Sequence, residues 1–60
     1  MYNYRTQIEV VINSKIEKGI SNILTDKDNL SVEEISVIYK NRFADFDLKT
    51  LEILEITETN

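Results

Sequence analysis

Carboxylates spaced three residues apart near the end of the chain are the side chains best suited to chemistry. Glu52 and Glu55 form one such pair, and Glu55 and Glu58 form another. On a helix each pair would share one face and could act as a general acid and base or ligate a hard cation. Acid-base work needs a cleft that separates two pKa values, and 60 residues leave little material for one. We therefore expect no catalytic residue and no metal site.

The rest of the composition points the same way. The chain has no His, Cys, Trp or Pro, and its single glycine is Gly19. No side chain therefore has an ordinary pKa near neutrality, and no thiolate is available as a nucleophile or zinc ligand. Phosphate-binding loops need several glycines, and the Asp-Lys-Asp-Asn run at 26–29 lacks the central glycine of a calcium loop. The composition predicts a non-enzymatic protein without a cofactor.

Length limits the stability of such a chain. We expect a single domain, 1–60, which would bury only about 60% of its unfolded surface. Small scaffolds usually compensate with disulfides, a metal or a partner subunit, so self-association or binding to another protein is expected. No run of about 20 apolar residues is present, and the first residues do not have the pattern of a basic region followed by an apolar core. These features predict a cytoplasmic location and no membrane partner.

Charge is unevenly distributed along the sequence. Positive and negative residues balance through Phe43, and the net charge of −4 arises after it. An acidic segment repels phosphate and favours a basic protein surface, so we expect a protein partner and no direct contact with nucleic acid. The alternative is a solvated face that serves solubility. The acidic residues of this segment are Asp45, Asp47, Glu52, Glu55 and Glu58, opposed only by Lys49.

The first half of the chain has the spacing of an amphipathic helix over about 4–25. Gly19 falls on its apolar side, where it indicates either a close helix crossing at a dimer axis or a tolerated weak point. Glu9 also points toward that side, and we interpret it as a carboxylate near the helix N-terminus. The residues expected to mediate self-association on this helix are Ile12, Ile16, Gly19, Ile20 and Ile23.

A second helix is predicted from Val32 to Phe43. Ser31 and Glu34 have the spacing of a capping box, and Leu30 with Ile35 fits a hydrophobic staple. A turn is expected over 44–46.

The last segment has two interpretations. Asp47 can cap a helix over 48–57, on which Leu48, Leu51 and Leu54 form one apolar stripe and Ile53 with Ile56 forms another. Imperfect alternation instead favours a strand, but a lone strand would have nothing in the chain to pair with. We therefore predict an all-α fold, a small three-helix bundle with a long first helix, and leave open whether it is a dimer.

In its small size, acidity and lack of catalytic groups, the chain resembles the small regulators and inhibitors of bacteria and their phages. This resemblance implies the class, a small non-enzymatic regulator or inhibitor. The leftover apolar residues and the carboxylates of the last segment predict, separately, that the module occupies a partner's surface through its last helix. Alternatives are a structural homo-oligomer packed through the first helix, and a helix-turn-helix DNA-binding protein, which the acidic candidate recognition helix at 47–56 disfavours. The residues expected to contact a partner protein are Leu51, Glu52, Ile53, Leu54, Glu55, Ile56, Glu58, Tyr2 and Tyr4.

Overall fold

The computed structural model describes residues 1–59, which form three β-strands and one α-helix. β1 spans Tyr2–Ile12, β2 spans Lys15–Thr25, α1 spans Val32–Arg42 and β3 spans Asp47–Glu58. The strands form one antiparallel sheet in the order β2-β1-β3. The predicted all-α bundle is therefore wrong, because the segments predicted as its first and third helices are β-strands.

A two-residue turn converts the predicted first helix into a hairpin. Asn13 has a φ of 51° and Ser14 a φ of 65°, which is the type I′ geometry whose twist matches that of the flanking strands. Ile12 and Lys15 pair directly across this turn. The many Ile, Val and Thr residues on either side suit a pleated sheet. Gly19 accordingly lies in a strand opposite Ile8, not at a helix crossing.

The helical spacing in this region arises because four residues are also two full periods of a strand. Tyr4 and Ile8 therefore share one face of β1, whereas Ile16 and Ile20 share one face of β2. The turn pairs even-numbered residues of β1 with odd-numbered residues of β2. Since paired residues share a face, Tyr4 and Ile8 lie on one side of the sheet and Ile16 and Ile20 on the other.

Two β-bulges in β3 explain its irregular apolar pattern. The register with β1 shifts between Arg5 and Thr6 and again between Glu9 and Val10. Leu54 and Lys49 are the extra residues, left without a partner in the β1 register. The shifts bring the apolar residues of β3 onto one face, opposite Val10, Ile8, Thr6 and Tyr4 of β1. These residues are Leu48, Leu51, Ile53 and Ile56.

α1, at Val32–Arg42, confirms the second of the three predicted helices. The Ser31 side chain accepts a hydrogen bond from the Glu34 amide at 3.1 Å, and the Glu34 carboxylate accepts one from the Ser31 amide at 3.3 Å. This is the predicted capping box. No second helix follows α1 within residues 1–59, so a helix-turn-helix motif is not formed there.

The core lies between α1 and one face of the sheet. Ile23 of β2, Ile35 and Tyr39 of α1 and the loop residue Leu30 surround Tyr4, whose ring is fully buried. The Tyr4 hydroxyl donates to the Lys27 carbonyl at 2.8 Å and accepts from the Leu30 amide at 3.2 Å. This central strand residue therefore fixes the loop that leads into α1. We call the covered side of the sheet the inner face and the opposite side the outer face.

Candidate functional site

Two stacked phenylalanine rings are exposed where α1 ends. Phe43 and Phe46 have ring centroids 5.3 Å apart with an interplanar angle of 11°, and Tyr39 stacks on Phe43 at 6.2 Å. Phe43 is 41% exposed and Phe46 36% exposed. Large aromatic surface of this kind is common in protein interfaces.

Backbone hydrogen bonds hold the ring pair in place. The Phe43 amide caps the helix by donating to the Tyr39 carbonyl at 2.8 Å, and the Phe46 amide donates to the Phe43 carbonyl at 2.9 Å. Tyr39 is itself fixed, because its hydroxyl lies 2.6 Å from the Thr6 hydroxyl on the central strand. Of the three stacked rings, Tyr39 is therefore fixed to the sheet, whereas Phe43 and Phe46 are exposed to solvent.

The ring pair forms one wall of an apolar pocket of about 110 Å³ on the inner face. An engineered cavity of about 150 Å³ holds a benzene molecule, so this pocket has room for one apolar side chain. Ile8, Val10 and Leu48 form the sheet side of the pocket, with Tyr39, Phe43 and Phe46 on the helix side.

Gly19 leaves the sheet open beside this pocket. It lies opposite Ile8, and a Cβ added to it would meet no atom within 4 Å. Its φ is not positive, so the backbone here does not require glycine. The missing side chain leaves Ile8 uncovered on the β2 side.

The candidate carboxylates do not converge. Glu52 lies opposite Gln7 and Glu55 opposite Arg5, so the bulge places both on the outer face. Glu58 lies opposite Tyr2, and Tyr2 and Arg5 are on different faces of β1. The pair Glu55 and Glu58 is therefore split across the sheet. Groups of three or more side chains suited to holding a metal ion do not occur in residues 1–59.

Tyr2 lies opposite Glu58, where β1 begins and β3 ends. The negative charge of Glu58 opposite it, and then that of Asp28, raise the pKa of the Tyr2 phenol above its ordinary value of 10.0. The phenol therefore stays neutral to higher pH. Glu9, expected near a helix N-terminus, instead lies on the outer face of the sheet, where its carboxylate is 3.6 Å from the ammonium of its cross-strand neighbour Lys18.

The residues expected to contact a partner do not form one surface, because some are buried and others are exposed. Tyr4 is buried, and Leu51 and Ile53 pack against the core. Leu54 and Ile56 are exposed on β3, and Tyr2 packs partly against the core. Glu52 and Glu55 face outward, whereas Glu58 is opposite Tyr2.

The residues expected to mediate self-association are divided as well. Ile16 and Ile20 are exposed on the outer face of β2, while Ile23 is buried in the core. Ile12 ends β1 beside the turn, and Gly19 lies on the inner face.

The aromatic pair was not predicted as a site. The sequence interpretation ended the second helix at Phe43 and left Phe46 in a turn. The available signal was the spacing of Tyr39, Phe43 and Phe46, which places the three rings along one side of a helix and its first following turn.

Comparisons with protein-family models, curated proteins and solved structures give no match for this chain. None of the helical structure in residues 1–59 is long and apolar enough to cross a membrane.

Proposed function

We propose that the chain is a non-enzymatic protein-binding module, a small acidic regulator that acts in the cytoplasm by occupying the surface of another protein. The contact is made at the end of α1, and it replaces the contact through a C-terminal helix that the sequence suggested.

The observation that carries this proposal is the exposed stack of Phe43 on Phe46 beside an apolar pocket. Residues that dominate binding energy in interfaces are commonly aromatic anchors seated in well-packed pockets. Here the rings are held by backbone bonds, so little conformational entropy is lost when a partner covers them.

The size of the pocket limits what can enter it. Its volume of about 110 Å³ is smaller than the cavity of about 150 Å³ that holds benzene, so it suits a side chain no larger than leucine. The lining is mostly apolar but also includes Ser21 and Lys40. A basic side chain would lose its hydration there beside the like charge of Lys40, whereas an apolar side chain matches most of the lining. We therefore propose that the partner inserts an apolar side chain.

The acidic residues next to the pocket favour a partner with basic residues around the apolar side chain that it inserts, which we call the anchor. Asp45 lies in the turn between the two phenylalanines, and Asp47 begins β3 immediately after it. Asp47 is already 3.0 Å from the ammonium of Lys49, so a partner's lysine or arginine beside the anchor would be attracted mainly by Asp45, and the net charge of −4 would speed the encounter.

A displayed library of random peptides tests this proposal, because it samples many apolar anchors and many flanking charges at once. We expect the protein to enrich peptides with one apolar anchor flanked by Lys or Arg. Phe46→Ala should weaken binding of the selected peptides at least about tenfold, or about 1.4 kcal/mol, because it removes part of the pocket wall that covers the inserted apolar side chain.

Leu54→Ala is the matched control, because Leu54 is also exposed but lies on the β3 bulge. It should leave the affinity unchanged. Failure to enrich any peptide, or binders that respond to Leu54→Ala and not to Phe46→Ala, would refute this site.

A further inference from the structure

β2 is an edge strand with one free side. It pairs with β1 on the other side only. Because Ile12 and Lys15 close a two-residue turn, they form a hydrogen-bonded pair, and such pairs recur at every second residue. The odd-numbered residues of β2 therefore bond to β1. The even-numbered residues, from Ile16 to Leu24, direct their N–H and C=O groups to the free side.

This edge has neither a bulge nor a proline, and its charged residues, Lys15, Glu17 and Lys18, all lie in the first half of the strand. β2 runs for 11 residues, contains no proline, and pairs with β1 without a register shift. Edge strands are usually blunted by bulges, prolines or clustered charge. β3, the other edge, has two bulges and carries Glu52, Glu55 and Glu58. The free side of β2 is thus the one suited to accept another strand.

On the outer face of β2, three exposed apolar side chains alternate with Lys18 and Asn22, and we call these three residues the apolar stripe. Ile16 is 65% exposed, Ile20 51% and Leu24 54%. These residues are four apart and therefore share a face of the strand. The stripe is symmetric about Ile20, and so is the strand itself, which spans Lys15–Thr25.

We infer that two copies of the chain pair antiparallel through β2, with Ile20 on the two-fold axis, and form a continuous six-stranded sheet. In this register Ile20 lies opposite Ile20 of the partner subunit, and Ile16 lies opposite the partner's Leu24. Both strands then overlap over their full length. The even-numbered backbone groups of each copy meet those of the other as hydrogen-bonded pairs.

The charged and polar residues of β2 fit the same register. Lys18 lies opposite the partner's Asn22, Glu17 opposite the partner's Ile23, and Lys15 opposite the partner's Thr25. No like charges are opposed, which is the condition for a stable cross-strand pair.

Shifting the register loses this fit. An axis at Lys18 would place two lysines face to face, and an axis at Gly19 would set Lys18 against Ile20. An axis at Asn22 would leave Ile16 without an apolar partner. A two-fold dimer requires a strand whose side chains are complementary to their own antiparallel copy. The side chains of β2 meet this requirement, so we infer that the strand added at its free side is β2 of a second copy.

Sedimentation equilibrium on the full chain over a dilution series tests the dimer. We expect a monomer-dimer equilibrium whose Kd rises at least about tenfold in Ile20→Lys, which places two ammonium groups opposite each other at the axis. Leu54→Lys is the control, because Leu54 is an exposed apolar residue on β3, at the opposite edge of the sheet. It should leave Kd unchanged. A monomer at every concentration, or an unchanged Kd in a folded Ile20→Lys variant, would overturn the proposal.

Cysteine cross-linking tests the register directly, since the chain has no native cysteine. Opposed residues of a hydrogen-bonded pair have Cα atoms about 5.5 Å apart, within disulfide range. Ile20→Cys should therefore give a covalent dimer under mild oxidation. In Ile16→Cys the two thiols would be separated by eight residues, roughly 27 Å, and should not link. Equal cross-linking of both variants would overturn this register.

Discussion

The hydroxyl of Tyr39 donates a hydrogen bond to the hydroxyl of Thr6, with 2.6 Å between the two oxygens. The direction follows because the Thr6 hydrogen is already committed to the Ser21 carbonyl at 2.9 Å. Both residues are buried. One chain of hydrogen bonds therefore links α1 to β1 and then to β2.

Removing the Tyr39 hydroxyl and removing the Thr6 hydroxyl should lower the free energy of unfolding by different amounts. Tyr39→Phe removes one bond while Thr6 keeps its bond to Ser21, so we expect a loss of about 1 kcal/mol in the free energy of unfolding. Thr6→Val leaves the buried Tyr39 hydroxyl without a hydrogen-bond partner and should lower the free energy of unfolding by about 2 kcal/mol. The double variant should lose less than the sum. Urea unfolding of the four proteins measures the coupling, and additive losses would contradict the shared link.

Ser14→Gly should stabilise the hairpin. Ser14 has a φ of 65°, a left-handed conformation that costs a non-glycine residue about 1 kcal/mol. We expect the free energy of unfolding to rise by about that amount. Ser36→Gly is the matched control, because the same substitution in the middle of α1 should lower it by about 0.5 kcal/mol. Thermal unfolding followed by circular dichroism distinguishes the two, and a loss of stability in Ser14→Gly would contradict the type I′ turn.

Gly19→Thr should also raise stability. Glycine weakens a strand interior, the backbone here does not need it, and an added Cβ meets open space. Threonine favours the sheet and would cover part of Ile8, so we expect a gain of about 0.5 to 1 kcal/mol in urea unfolding. Gly19→Ala should give a smaller gain. A drop in stability with threonine would show that the space beside Ile8 is occupied.

Glu58→Gln should lower the pKa of Tyr2. The raised pKa in the folded state comes first from Glu58 and then from Asp28, so removing the first charge moves the titration toward the ordinary value of 10.0. The folded state holds the Tyr2 proton more tightly than the unfolded state. Its contribution to stability is therefore present below the ordinary pKa and is lost as pH rises above it.

NMR titration of the tyrosine ring carbons resolves Tyr2 from Tyr4 and Tyr39. Glu33→Gln, which removes a carboxylate from the first turn of α1, is the control and should leave the Tyr2 titration in place. An unmoved Tyr2 pKa in Glu58→Gln would contradict the pairing of these residues across β1 and β3.

The sequence interpretation succeeded where a structure is specified by neighbouring residues. Ser31, Glu34 and the apolar spacing that follows define α1 within a few positions, because a capping box is closed by residues three apart. It failed at β1 and β2 because residues four apart share a face in a helix and in a strand alike. The turn at Asn13 and Ser14, which separates those alternatives, lacks the glycine that usually marks it.

β3 shows a second kind of failure. A strand over 47–57 was considered and set aside for want of a partner, but its partner, β1, had been assigned to a helix. The apolar residues of β3 then fell into two stripes, since the bulges at Leu54 and Lys49 change the phase of alternation. Bulges depend on the register with another strand, so they do not follow from the spacing within β3 alone.

By itself, then, the sequence determined α1, its cap and the acidity of the last segment, all of which depend on local interactions or on composition. The tertiary structure decided which apolar residues are buried and which remain exposed. It joined Phe43 and Phe46 to the sheet residues Ile8 and Leu48 in one pocket, and it left Ile16, Ile20 and Leu24 on the outer face. These outcomes depend on strand pairing between residues distant in the chain, which sets the face of the sheet that each side chain occupies.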